Sequence, residues 1–279
     1  WSRDFIARSR GYKHTFIDSH CHIDFTYKQM NVDMTTTYQS FRKSMADSYP
    51  DNYEGCVAVF CNPNTFSAKC ETVSGEDGVW LAFGCHPKSA TEFKDVHEQG
   101  LRKYLSHPKV VALGEIGLDY SGTFHRHADV QKRVFRTQLK IALDMFLPLV
   151  IHCRDADDDC LEIMRELVPR DHKIHVHCFT RNEHKARHWL DSFPNLYLGL
   201  TPVITYQSAV EPMTVAARIP LDRLLLETDA PYFVPGSIKI LSQPGLALIT
   251  AERIAELRGV SVDVVLKATR QNTRNMYGI

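Results

Sequence analysis

Val110-Val111-Ala112-Leu113-Gly114-Glu115 is an apolar run that ends on a glycine and a carboxylate, and the same order recurs along the chain. Thr15-Phe16-Ile17 leads to His20 and His22, and Leu149-Val150-Ile151 leads to His152. Ile174 and Val176 precede His177, and Leu224-Leu225-Leu226 precedes Asp229. Side chains able to bind metal therefore stand at the ends of separate β-like runs. In a parallel barrel the C-terminal strand ends converge on one face, so residues distant in sequence meet there. The spacing predicts a single pocket.

Cys56 to Cys61, Val79 to Phe83 and Leu196 to Leu200 are further runs of the same kind and complete a set of eight strands. They are too continuous in apolar residues for half-exposed antiparallel strands and fit a parallel sheet covered on both faces. A helix is expected over Ala128 to Phe146, where Val130, Val134, Thr137, Ile141 and Met145 form a stripe stopped by Pro148. Another begins after Arg154 with Asp155 as its N-cap, carries Leu161, Met164 and Leu167, and ends before Pro169. Eight strands alternating with helices give an α/β fold, a (β/α)8 TIM barrel. Residues 1–12 read as a lead-in helix or tail, and 13–279 as one catalytic domain.

A chain of 279 residues, 44% hydrophobic and 24% charged, is long enough for one well-buried core. The formal net charge of +0 means that any attraction for nucleic acid must come from local patches. Cys21, Cys56, Cys61, Cys70, Cys85, Cys153, Cys160 and Cys178 form no C-x-x-C pair, and several lie inside apolar runs as buried free thiols do. That usage points to a reducing compartment, so the expected location is intracellular, nuclear or cytoplasmic. No apolar run approaches the ~20 residues of a membrane span, and the N-terminus has no signal-peptide pattern. The expectation is a soluble monomer without a membrane partner. Because it begins at Trp1, the chain reads as a fragment or a processed form.

His20 and His22 are two apart on a strand, so both point to one face and make a metal clamp. Glu115 lies between Gly114 and Gly117, where the backbone can bring a carboxylate close to a ligand, and a carboxylate can bridge two cations. His152 and His177 face a second metal. His175 shares a face with His177 but lies one pleat deeper and reads as a hydrogen-bonded interior histidine. Asp229 can bind the first metal or take a proton from the attacking water, while Glu227 and Asp18 support ligands from behind. Imidazole and carboxylate donors suit zinc, manganese or iron, with magnesium open where oxygens dominate. Six donors exceed what one catalytic zinc uses, so two divalent ions sharing Glu115 are expected.

Taken together, Ile17-Asp18-Ser19-His20-Cys21-His22, Gly84-Cys85-His86-Pro87, Gly114-Glu115-Ile116-Gly117-Leu118-Asp119, His152-Cys153-Arg154, His177-Cys178-Phe179-Thr180 and Glu227-Thr228-Asp229-Ala230-Pro231-Tyr232 form a specific set. From about residue 14 onward the chain resembles the TatD-type metal-dependent deoxyribonucleases of the metallo-dependent hydrolase superfamily. Among them it is most similar to the large animal TatD-domain members with a long N-terminal extension. The resemblance implies His20, His22, Glu115 and Asp229 at one metal, and Glu115, His152 and His177 at the other. It also implies phosphodiester hydrolysis, commonly from a 3′ end, on DNA or on RNA or RNA-DNA hybrids. At Arg181 the family usually has glycine, so that side chain either contacts a phosphate or narrows the pocket mouth.

His86 and Arg154 are placed to hold phosphate oxygens, and Lys88 is a further candidate. Tyr120, Tyr232 and Phe233 either stack bases or serve as rim packing. Arg126, Lys132, Arg133 and Arg136 read as a solvated face ahead of a strand-tracking path. The competing reading is a metal-dependent amidohydrolase or esterase cleaving a carbonyl substrate, aminoacyl-tRNA included. A metal-stabilised scaffold without activity would predict an incomplete site, and no ligand position is lost.

Overall fold

The apolar runs form eight strands in the computed structural model, which describes residues 1–66, 73–236, 238 and 240–279. They are β1 (Phe16–Cys21), β2 (Tyr53–Phe60), β3 (Val79–Phe83), β4 (Val110–Asp119), β5 (Leu149–Arg154), β6 (Ile174–Val176), β7 (Leu196–Leu200) and β8 (Leu224–Leu226). Each pairs in parallel with the next, in chain order. The two edges meet where the Asp229 N–H donates to the His20 carbonyl at 2.9 Å and the His22 N–H donates to the Ala230 carbonyl at 2.8 Å. A TIM barrel results. Its closing seam fixes His20, His22 and Asp229 to one another through the main chain.

Ten helices among the described residues surround the strands: α1 (Ser2–Ser9), α2 (Ile23–Gln29), α3 (Tyr38–Ser44), α4 (Asp95–Leu105), α5 (Ala128–Asp144), α6 (Asp157–Leu167), α7 (Glu183–Ser192), α8 (Val210–Arg218), α9 (Ala247–Arg258) and α10 (Val262–Tyr277). The larger apolar cluster lies between strands and helices, with Phe83, Phe135, Trp189 and Leu266 among its buried members. A smaller one fills the barrel interior with Val57, Val59, Ala82, Ala112, Val150 and Leu225, joined by Met276 and Tyr277 from α10. No helix among the described residues is long and apolar enough to cross a membrane.

Several expectations change in detail. β4 runs four residues past Glu115, because Ile116 to Asp119 keep pairing with Ile151 to Arg154. Glu115 is therefore held mid-strand. Gly117 permits this approach: its φ is +143°, and a Cβ there would lie 1.9 Å from the His152 carbonyl oxygen.

The buried face of α5 is rotated from the expected stripe and includes Gln131 and Gln138 beside Val134, Leu139 and Ala142. Each glutamine clamps a strand end. Gln131 accepts from the Asp119 N–H and donates to its carbonyl, both at 2.8 Å. Gln138 does the same at Cys85, at 2.6 and 3.2 Å. Net contributions of about 1 kcal/mol per bond make each clamp a real restraint.

Asp155 is not the cap of α6, whose N-cap is Ala156; Asp155 has φ of 56° and pairs with Arg181 instead. Lys132 and Arg136 pair with Asp159 and Glu166, each at 2.7 Å, as a solvated face requires. The described cysteines are free thiols, and Cys70 lies outside the described residues.

Candidate functional site

The barrel brings the six expected metal ligands to one place. On the closing seam, His20 Nε2, His22 Nε2 and Asp229 Oδ1 face one another at 3.3, 3.5 and 3.2 Å. Glu115 Oε2 lies 3.6 Å from His20 Nε2 and 3.5 Å from His22 Nε2. A tetrahedral ion with bonds of ~2.0–2.2 Å holds its ligand atoms about 3.4 Å apart. These spacings fit a divalent cation.

Burial strengthens the fit. His20 is fully buried, and its Nδ1 and the Oδ1 of Asp229 have no hydrogen-bond partner among the described residues. Burial pushes the His20 imidazole down to about 3, which leaves it neutral, the form that binds metal. His22 is oriented from behind by the Val59 carbonyl, 2.9 Å from its Nδ1.

The second group surrounds the other oxygen of the same carboxylate. Glu115 Oε1 lies 2.7 Å from His152 Nδ1, 2.7 Å from His177 Nε2 and 3.2 Å from His86 Nε2. These are hydrogen-bond separations, and the histidines satisfy the carboxylate directly. Burial opposes the charge on Glu115, yet the surrounding histidines hold its carboxyl well below the usual range. At His152 burial opposes protonation, but the bonds to Asp119 and Glu115 outweigh it and raise the ring to about 9. Residues from both groups could hold two ions that share Glu115.

Support comes from several directions. Asp119 Oδ2 sits 3.0 Å from His152 Nε2 while Oδ1 accepts from the Ser121 N–H at 2.9 Å and from its hydroxyl. Lys88 Nζ is 3.5 Å from the same Asp119 carboxylate. Asp18 does not touch a ligand side chain; it accepts from the His20 N–H at 3.2 Å and from the Thr228 N–H and hydroxyl at 3.0 and 2.5 Å. It thus ties β1 to the segment bearing Asp229. Glu227 accepts from the Cys178 N–H and lies 3.8 Å from His177 Nδ1, and its other oxygen is 2.8 Å from His175 Nε2. Asp229 and Cys178 both hold left-handed backbone angles, a form of strain that clusters at working sites.

Over these groups opens a cavity of about 800 Å³, whose lining includes His86, Lys88, Arg154, Phe25, Tyr232 and Phe233. Cys61 also reaches it, but burial pushes that thiol up to about 12, so it stays protonated. The structure does not bring Arg181 or Tyr120 to this lining. Arg181 pairs with Asp155 and Asp157 at 3.0 and 3.4 Å, and the Tyr120 hydroxyl donates to Asp159 at 2.6 Å. Asp119, Phe25 and the two glutamines were not singled out from sequence. The glutamine pair had a usable signal, since residues seven apart share a helical face.

A family model described as TatD related DNase matches residues 17–278. A human protein named 3′-5′ RNA nuclease TATDN2 is 44% identical over 269 residues, 95% of this chain. The chain spans about a third of that relative, 35% of its length. The uncharacterized metal-dependent hydrolase YabD of Bacillus subtilis is 30% identical over 94% of this chain and 98% of its own. Among solved structures, that of YJJV, a TatD homologue from Escherichia coli K12, superposes with a TM-score of 0.80 at 26% identity, covering 95% of this chain and 98% of the other.

Proposed function

The chain belongs to the TatD-related DNase family, and on that premise we propose that it is a two-metal nuclease that hydrolyses phosphodiester bonds from the 3′ end of a single strand, RNA or DNA. The observation that carries this reading is the placement of Glu115, with one oxygen toward each donor group, beneath a cavity that also presents His86, Lys88 and Arg154. A divalent pair there would supply Lewis-acid activation of water and neutralise charge on the phosphoryl oxygens. His20, His22 and Asp229 would hold one ion with Glu115, and His152 and His177 would hold the other.

In this reading the chain's own side chains bind and orient the rest. Arg154 and Lys88 take non-bridging phosphate oxygens, and Arg offers its forked donors for that purpose. His86, 3.2 Å from Glu115, closes the pocket between them. Asp229 Oδ1 faces His20 and His22 as a ligand for that ion, and the alternative role for this carboxylate is to accept the proton of the attacking water. Phe25, Tyr232 and Phe233 give the terminal base a face to stack on, which is tolerant of sequence. The human relative's name supports a 3′-5′ direction and RNA, and the family's description supports DNA.

The test is a gel assay. Protein stripped with chelator is restored with magnesium, manganese or zinc and given 5′-labelled single- and double-stranded DNA and RNA, with Glu115→Gln alongside. Metal-dependent, stepwise shortening that vanishes in the variant is expected. Intact strands under every metal, with turnover of a carboxylic ester or aminoacyl-tRNA, would overturn the nuclease reading in favour of carbonyl hydrolysis.

A further inference from the structure

One hydroxyl deep in the barrel touches the supports of both metal-binding groups. Tyr277, in the last turn of α10, is 5% exposed and packs within the barrel's interior apolar cluster. Its hydroxyl donates to the Ser19 carbonyl at 3.2 Å, on the strand that carries His20 and His22. The same oxygen lies 2.7 Å from His175 Nδ1. His175 Nε2 is in turn 2.8 Å from Glu227 Oε2, and Glu227 Oε1 holds the Cys178 N–H and lies 3.8 Å from His177 Nδ1.

Each group in this chain is buried: Ser19, His175 and Glu227 are all 0% exposed. The fold makes room for them at Gly199 on β7, where a Cβ would lie 2.3 Å from both His175 Nε2 and Glu227 Oε2. Misplacing buried polar groups is costly, and this chain is held by the two hydrogen bonds of Tyr277 and by the close approach of His175 Nε2 to Glu227 Oε2, which is a contact at ion-pair distance and not a hydrogen bond. It ends on the backbone beside one proposed ligand, His20, and on the ring of another, His177.

We propose that Tyr277 and His175 are positioning residues for the metal centre, which set the distance between β1 and β6 and hold Glu227 against His177. This rests on the two-metal reading for its consequence in catalysis, but the effect on metal affinity does not require any particular substrate. Tyr277→Phe removes only the hydroxyl and keeps the ring in the interior cluster. Groups behind a ligand typically contribute 10–100-fold in metal affinity or activity.

The experiment measures manganese binding to chelator-stripped protein, by the spectroscopic signal of free Mn²⁺, for Tyr277→Phe, His175→Gln and the double variant. Weakening of about tenfold or more in each single variant is expected, and the double should lose no more than the larger single, because one chain is cut twice. Tyr53→Phe is the control: its hydroxyl is also buried and paired, 2.8 Å from that of Tyr38, but at the start of β2 away from the ligands. It should lower the melting temperature without moving manganese affinity. Unchanged affinity in both single variants, or strictly additive losses in the double, would overturn the proposal. If Tyr277→Phe fails to fold, His175→Gln against the control decides. A loss of manganese affinity in a protein that never cleaves nucleic acid would leave the positioning role standing and remove only the nuclease reading.

Discussion

The two donor groups around Glu115 are built from the same residue types and differ in how they are held. On the seam between β1 and β8, His20, His22 and Asp229 are locked by main-chain bonds across the barrel closure, and their donor atoms stay 3.2–3.5 Å apart. From β5 and from just past β6, His152 and His177 close directly on Glu115 Oε1 of β4 at 2.7 Å. The first group keeps the spacing of an ion, whereas the second satisfies itself. Preorganised donors give up little on binding, while a hydrogen-bonded cluster must first give up its internal bonds. On the two-metal reading proposed above, one position would be tight and the other looser, with Glu115 common to both.

The largest effect should come from the residue that belongs to both groups. Glu115→Gln keeps size and burial but leaves one oxygen where two are needed, so cleavage should fall by ~10²–10⁴-fold. Circular dichroism and melting should show the barrel intact, and metal content should drop for both positions. Retained activity would break the two-metal reading outright. Next in size is the contrast itself: His22→Asn should abolish the tighter class of manganese binding, and His152→Asn only the weaker. If both variants weaken a single class alike, the two positions are equivalent and the comparison fails.

Asp119→Asn sharpens the same contrast from behind. It removes the carboxylate that orients His152 and holds Lys88, at 3.0 and 3.5 Å. The looser position should lose 10–100-fold in affinity while the tighter one is unmoved. An equal loss at both would mean that the groups are mechanically coupled at that end of the site as well.

How far the sequence foretold this follows from the range of the interactions. His20 and His22 were legible because strand alternation alone puts them on one face, and the runs before Glu115, His152 and Asp229 announced buried parallel strands. Their sharing of a pocket followed from the barrel's geometry. Asp119 was not legible, since its partners lie 33 and 31 positions away and a carboxylate at the end of β4 carries no local signal. The Tyr277–His175 contact joins residues 102 apart and depends on how α10 enters the barrel. Local pattern reveals what a strand or helix presents, and tertiary pairing decides whom it meets.

Arg154 and Arg181 carry that lesson into substrate binding. Arg154 was expected at a phosphate and Arg181 either at a phosphate or narrowing the pocket mouth, and only Arg154 lines the cavity. Arg154→Ala should raise KM roughly tenfold, the scale of one charge-assisted hydrogen bond, with kcat and metal content unchanged. Arg181 is three-quarters covered and already held by Asp155 and Asp157. To reach a phosphate it would have to leave both carboxylates. Arg181→Gly should therefore change KM by less than threefold and lower stability by about 1 kcal/mol, the scale of a rim ion pair plus one freed backbone position. A tenfold rise in KM for Arg181→Gly would show instead that the guanidinium exchanges its carboxylates for the strand, and that the rim is remade when substrate enters.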